Sequence, residues 1–342
     1  MRPSCLALAA LPALAGLAVL GGPACANDST AELATGGLVF VKNDAIEMRA
    51  EDLFLSTAEV RVHYRFFNRA DHDVTVHVAF PMPEVRIDGP DQMVALPTDD
   101  PVDLLGFVTT VNGERVEAAV EQRVIAKGGD RTELLQKLGV PLAPHLASTG
   151  AALDRLPATV QKELVGLGLA DIDEYDIGKG LERHLAPRWA LRTTFYWQQV
   201  FPAARETVIE HRYRPSVGES VQTSLGAPSI AGEPWVTAEV KKYCVERDIL
   251  AKLERARGSA DAFGPPYREK RIDYVLSTGA NWAGPIGEFR LVVDKGAPAD
   301  LVSFCGENVK KISPTRFEMR KTNFTPTGDI GVLILTKFEP ER

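Results

Sequence analysis

The sequence predicts a mainly β protein: a β-sandwich with a helical insert, followed by a smaller β-rich C-terminal part. Three observations predict it. From Glu59 to Pro83 two runs alternate apolar with polar residues, Val60, Val62, Tyr64 and Phe66, then Val74, Val76, Val78 and Phe80. That alternation is the period of a half-buried strand. Trp189 to Val200 repeats it, with Trp189, Leu191, Thr193, Phe195 and Trp197 on one side. Between these stretches, from Asp130 to Asp176, the apolar spacing becomes helical.

Residues 1–26 stand apart from the fold. Arg2 supplies a positive start, Leu6 to Leu20 an apolar run, and Ala24-Cys25-Ala26 a small-residue cleavage site. This is the layout of a secretory signal peptide, expected to be cut after Ala26 so that Asn27 becomes the first residue. Lipidation at Cys25 is the lesser alternative, because Gly22 stands where an aliphatic residue is wanted.

Residues 27–232 are expected to form the sandwich domain. Asn27 to Gly37 is a polar, extended lead-in. Leu38 to Val41 and Ile46 to Leu55 are short strands broken at Lys42-Asn43-Asp44. The two runs within Glu59–Pro83 are joined by Asn68 to Asp73, rich in turn formers, and read as a hairpin ended by Pro81 and Pro83. Arg86 to Asp103 is loop. Phe107 to Val124 is a second hairpin around Asn112-Gly113, a pair that tolerates positive φ, and its register sets Thr109 opposite Val116.

The helical insert spans 130–176. Asp130 and Glu133 resemble a capping box, Leu134, Leu135 and Leu138 share a face, and a second helix opens near Pro157. Thr207 to Arg214 is a further strand. The C-terminal part, 233–342, opens with a helix over Asp248 to Arg257. Strands are expected at Tyr274–Thr278, Phe289–Val293, Leu301–Phe304, Phe317–Met319 and Val332–Leu335.

Composition narrows the function. The formal net charge is −7, a poor match for nucleic acid or anionic lipid. No apolar run after the leader approaches membrane length, so no transmembrane segment is expected. Of four cysteines, two lie in the leader. Cys244 and Cys305 remain, and in an oxidising compartment they are expected to pair as a disulfide.

Two resemblances follow from particular stretches. Phe80-Pro81-Met82-Pro83, Val111-Asn112-Gly113-Glu114 and Tyr213-Arg214-Pro215 make Ile46 to about Gly218 resemble a vault/inter-alpha-trypsin type β-sandwich. The Asp-x-Ser-x-Ser metal module that usually accompanies it is absent. The whole chain after the leader resembles a family of uncharacterised exported bacterial proteins, domain of unknown function 4424. The stretches that carry this include Ala34 to Leu38, Tyr64 to Asn68, Thr194 to Trp197, Thr278 to Gly287 and Val302 to Gly306. That resemblance implies an envelope or secreted location and no assigned activity.

Candidate sites are few. On a hairpin register His63 would face His77, but two imidazoles fall short of a stable metal site and read as solvated polar-face residues. Asp171, Asp173, Glu174 and Asp176 form an acidic cluster without the EF-hand pattern and read as a solvated loop. No metal and no cofactor are expected. Trp189, Trp197, Trp235 and Trp282 are expected to be mostly core. Trp282 sits among Gly and Pro in an expected loop, so Trp282, Asn281 and Tyr196 are the binding candidates. The insert, with Trp282 if it shares that end, is expected to line the main binding surface.

No Gly-x-Ser-x-Gly, Ser-x-x-Lys or His-Glu-x-x-His is present, and no catalytic residue is assigned. The function expected is a non-catalytic binding or scaffolding module of the bacterial envelope, periplasmic or secreted. An envelope protein or glycan is its expected partner, and nucleic acid is not. The alternative is an envelope hydrolase acting on glycan or peptide.

Overall fold

The computed structural model describes residues 27–34, 37–86, 94–176, 178, 180–257 and 264–338. The expected signal peptide lies outside the described residues, as does the part of the loop expected over Arg86 to Asp103 that falls at 87–93. The protein is mainly β, built from three large sheets and a separate hairpin.

The eight-stranded sheet runs in the order Lys310–Lys311, Arg316–Phe324, Ile286–Asp294, Ile46–Ser56, Val60–Asn68, Glu206–Tyr213, Val108–Val111, Glu114–Val116. Its inner face is covered by two other sheets. One contains Ala119–Ala126, Ala190–Phe201, Val74–Pro81, Ser29–Ala34 and Gly37–Val41. The other contains Leu301–Phe304, Ile330–Lys337, Tyr267–Tyr274 and Val217–Glu219. Residues from all three, among them Tyr64, Phe66, Phe80, Phe195, Leu291, Ile272 and Val332, close into a single apolar core.

The expected 59–83 hairpin is corrected. Val60–Asn68 pairs with Ile46–Ser56 and Glu206–Tyr213, whereas Val74–Pro81 pairs with Ser29–Ala34 and Ala190–Phe201. The polar turn at Asn68 carries the chain from one sheet to the other. Asn68 holds this arch, its buried amide donating to the carbonyls of His72 and Phe201 at 2.9 and 2.8 Å. His63 therefore lies opposite Glu210, and His77 opposite Gln198, in different sheets.

Ile46–Ser56 is the middle of the large sheet and carries a bulge at Arg49, where the pairing jumps between Met48 and Ala50. Before the bulge Ile46 and Met48 point inward. After it Glu51, Leu53 and Leu55 do. One extra residue has switched the alternating set, as a bulge must. On the other side Ile286–Asp294 runs parallel to this strand. Gly287 faces the bulge so closely that an added Cβ would lie 2.6 Å from the Arg49 carbonyl oxygen.

That parallel pair joins strands from either side of the expected boundary at 232/233. Ile286–Asp294 and Arg316–Phe324 complete the sheet begun by residues 46–68, so the C-terminal strands share the N-terminal core.

Elsewhere the pattern and structure agree in part. Asn112, at φ 51°, and Gly113 turn a hairpin with Thr109 opposite Val116, but Ala119–Ala126 departs to the second sheet. The insert comprises helices Thr132–Lys137, Ala147–Asp154 and Ala158–Gly166, then a hairpin of Ala170–Asp176 with Leu181–Pro187. Leu135, Leu153, Leu164 and Trp189 form its own core against Val124 and Ala126. The helix expected over Asp248–Arg257 is Arg247–Ala256. A second helix, Pro234–Lys242, was not expected. The expected Tyr274–Thr278 strand is instead the end of Tyr267–Tyr274 followed by a 3₁₀ turn over Ser277–Asn281.

Cys244 and Cys305 are joined, with their Cα atoms 5.0 Å apart. The bond links the end of the Pro234–Lys242 helix region to the edge strand Leu301–Phe304 across a sequence separation of 61. By chain entropy such a loop contributes about 4 kcal/mol. Double replacement of Cys244 and Cys305 by serine is expected to lower the unfolding free energy by about that amount in urea titration, and free-thiol labelling of the denatured, unreduced protein is expected to find no thiol. Gly287→Ala is expected to cost about 1–3 kcal/mol, because the methyl meets backbone that cannot yield. A substitution without effect on the urea midpoint would show that the bulge and its neighbour are not in close contact.

Candidate binding face

The outer face of the eight-stranded sheet is concave and carries a groove. Its composition follows from strand alternation. Residues between the inward-facing ones point outward: Asp52 and Phe54, then Arg61, His63 and Arg65, then Glu210 and Arg212, then Arg290 and Val292, with Arg316 and Arg320 beyond. A groove of about 720 Å³ runs over Asp52, Phe54, Arg61, His63, Thr110, Glu210, Arg290, Ile312 and Arg316. A second depression of about 500 Å³ adjoins it, sharing Asp52, His63 and Arg290.

The arginines of this face are matched by carboxylates. Arg290 donates from Nη1 to both oxygens of Asp52, at 3.1 and 2.9 Å, and from Nε to Glu318 at 2.8 Å. Arg320 donates to the same Glu318 oxygen at 2.9 Å. The Arg320 and Arg290 guanidiniums hold the Glu318 carboxyl down to about 2. Arg316 pairs with Asp294 at 2.8 Å, Arg65 with Glu206 and Glu288 at 3.5 Å, and Arg61 with Glu59 at 2.9 Å. His63 Nε2 stands 3.9 Å from Glu210. The ring of Phe54 lies between two of these cations, 4.6 Å from the Arg61 guanidinium carbon and 5.6 Å from that of Arg316.

Behind this sheet lies a different polar cluster, sealed in the core. Asp28 Oδ1 and His211 Nε2 are in hydrogen-bond contact at 2.9 Å with neither side chain exposed. Burial raises the Asp28 carboxyl above its ordinary range, against the pull of His211. Glu51, turned inward by the bulge, is pushed up to about 8 by burial, while the hydrogen bond from Asn27 opposes the shift. Tyr64 and Tyr274, in hydroxyl contact at 3.2 Å, are driven well above the usual phenol range by the same burial.

The three expected binding residues are not brought together at a surface. Trp282 is wholly buried. Its indole N–H donates to the Asp28 carbonyl at 2.7 Å, and its ring packs 4.5 Å from Phe66 and 6.1 Å from Phe201. Asn281 donates to the Ser29 hydroxyl at 2.8 Å. Tyr196 is half-buried in the second sheet, on the small cluster of Ala31, Leu38 and Ala79. The insert packs beside Trp189, at the start of the strand whose far end is Phe201, so Trp282 and the insert stand at opposite ends, about 35 Å apart along the strand. The acidic cluster at 171–176 is strand rather than loop. Asp171 pairs with Arg188 at 2.8 Å, and Asp176 accepts from the amides of Gly178 and Gly180. Among the tryptophans Trp235 is the exposed one, at the start of its helix. The charged face was missed because its residues come from six strands; the one signal was arginines four apart on one strand face, Arg61 and Arg65, Arg316 and Arg320.

A search among solved structures finds distant likenesses. The crystal structure of a "putative nutrient binding protein" from Legionella pneumophila aligns at 17% identity and a TM-score of 0.43, over 92% of this chain and 73% of that one. Native yeast LTA4 hydrolase aligns at 8% identity and a TM-score of 0.24, over 85% of this chain and 29% of that one. No curated protein matches. The profile of the domain of unknown function DUF4424 matches residues 26–333. The chain belongs to the DUF4424 family.

Proposed function

We propose that this chain is an exported, non-catalytic binding module of the bacterial envelope, and that it engages a neutral glycan on the outer face of its eight-stranded sheet. The leader pattern from Arg2 to Ala26 supports export. The Cys244–Cys305 disulfide suits an oxidising compartment. No helix of the described residues is long and apolar enough to cross a membrane.

The observation that carries the ligand class is Phe54 beneath the guanidiniums of Arg61 and Arg316, in a groove whose arginines are each paired with a carboxylate. The ring, with the guanidiniums over it, sets apolar area beside fixed donors, a combination that suits the mixed faces of a sugar. The guanidiniums and carboxylates around it offer donors and acceptors in alternation, as hydroxyl groups require. A balanced set gives little attraction for polyanions. Binding also suits the proton chemistry of the groove. A general acid needs a pKa near working pH, whereas Glu318 is held at about 2 and the carboxyls with raised values lie behind the sheet.

Two outcomes are expected. Protein recovered from the cell envelope should begin at Asn27 by intact mass; an intact Met1 or a lipid on Cys25 refutes this route. An array of envelope polysaccharide fragments should reveal a neutral glycan ligand, and Phe54→Ala should weaken its Kd about tenfold, as loss of a stacking partner does. Unchanged affinity in that variant would move the site elsewhere.

A further inference from the structure

The first described residues begin inside the protein. Asn27, Asp28 and Ser29 are wholly buried and Thr30 and Ala31 nearly so. The Asn27 carbonyl accepts from the Thr278 hydroxyl at 2.8 Å. The Asn27 side-chain amide donates to Glu51 Oε2 at 3.3 Å and to the Leu276 carbonyl at 3.4 Å, while Tyr64 donates to its oxygen. The cluster around it holds two carboxyls, Asp28 and Glu51, and one imidazole, His211. Glu51 Oε1 and Asp28 Oδ2 have no hydrogen-bond partner. Burying an acid oxygen without a donor is costly. The groups that act on Glu51 are Asn27, Asp28 and Tyr274, with Tyr64 beside them; among the described residues no lysine or arginine is one of them.

We propose that Glu51 is the counter-ion of the α-ammonium group of Asn27, and that this buried pair completes the core only after the leader has been removed. The proposal rests on the cleavage point of the export reading. Hydrolysis adds water across the Ala26–Asn27 amide. The carboxylate stays with the leader, and the Asn27 amine takes a proton from solvent. That nitrogen lies within about 5 Å of the Asn27 side-chain amide by covalent geometry, and the side-chain amide already reaches Glu51. The pair of Glu51 with the chain terminus then stands beside the Asp28–His211 hydrogen bond. In the uncut chain the same nitrogen is a neutral amide and leaves Glu51 uncompensated.

The sign of the pH dependence separates the two states. With a neutral amide at residue 27, Glu51 titrates near 8 in the fold against an ordinary value of 4.5. Stability is then full below pH 4.5 and is lost as pH rises through 8. With an ammonium, Glu51 stays ionised and that loss disappears. The terminus itself deprotonates only above its ordinary range of about 7.7–8.0, because pairing raises it.

The test compares chains that begin at Asn27 with chains carrying Gly-Ser before Asn27, both with the disulfide formed. Intact mass of exported protein comes first. A terminus elsewhere overturns the cleavage point and, with it, the pair. With Asn27 confirmed, melting temperature is followed from pH 5 to 8. The processed chain should be nearly flat. The extended chain should fall steadily, reaching at least a tenfold larger unfolding equilibrium constant at pH 8. Glu51→Gln should abolish the difference in slope. In the native processed protein the α-amine should resist acylation by a succinimidyl ester, relative to the same chain in urea. Superimposable curves, an extension that destabilises equally at every pH, or an α-amine that acylates at the unfolded rate would each overturn the pair. If Glu51→Gln does not fold, the slopes and the acylation rates decide alone.

Discussion

The parallel pairing of Ile46–Ser56 with Ile286–Asp294 is the contact on which the rest of the structure depends. It joins strands about two hundred and forty residues apart and makes one sheet of two halves of the chain. Without it the large sheet would end at its fourth strand, and the core shared by three sheets would open. The pair runs beside the bulge at Arg49, where Gly287 admits the extra carbonyl. The bulge in turn sets which residues face inward, and so brings Glu51 to the first residues of the chain. Loop-closure entropy opposes such a distant contact until neighbouring pairs exist. The strand must therefore be held by local partners, Val60–Asn68 first, before its far edge is filled.

That order explains which features were legible in the sequence. Alternation identifies a strand and its two faces, so Val60–Asn68, Ala190–Phe201, Leu301–Phe304 and Ile330–Lys337 were readable, as was the Asn112-Gly113 turn with its register. Alternation does not identify the neighbour. Two strands with a short polar link can be a hairpin or an arch between sheets, and the choice at Asn68 is made by its buried amide reaching the Phe201 carbonyl, 133 residues away. Trp282 failed for a related reason. Gly and Pro around it do mark irregular backbone, but the indole partner is the carbonyl of residue 28. The Pro234–Lys242 helix carried a readable signal, Pro at its first position and Val236, Val240 and Tyr243 at helical spacing.

The candidate site was the least legible part. Its arginines and carboxylates occupy outward positions on five strands, and the outward half of an alternating pattern looks like ordinary solvated surface. Such pairs contribute little to stability, since exposed ion pairs are worth roughly 0–1 kcal/mol. What they provide is order. Arg290 is fixed by Asp52 and Glu318, and Phe54 by Arg61 and Arg316, so the groove presents donors, acceptors and a flat ring without ordering them at the moment of binding. Less entropy is then lost when a partner arrives.

The two faces of the same strand divide the labour. Outward, Asp52 and Phe54 sit among matched charges, where desolvation is small. Inward, one position away, Glu51 is sealed with Asp28, Tyr64 and Tyr274, and burial moves each of these groups away from its charged form. A sheet face built from apolar residues alone would have been the simpler core at that point. Retaining two acids there has a cost that hydrophobic replacement would remove. A buried polar group of this kind specifies one arrangement over others rather than adding stability. Here the two acids sit against the first described residues, where Asn27 reaches Glu51 and Asp28 reaches His211.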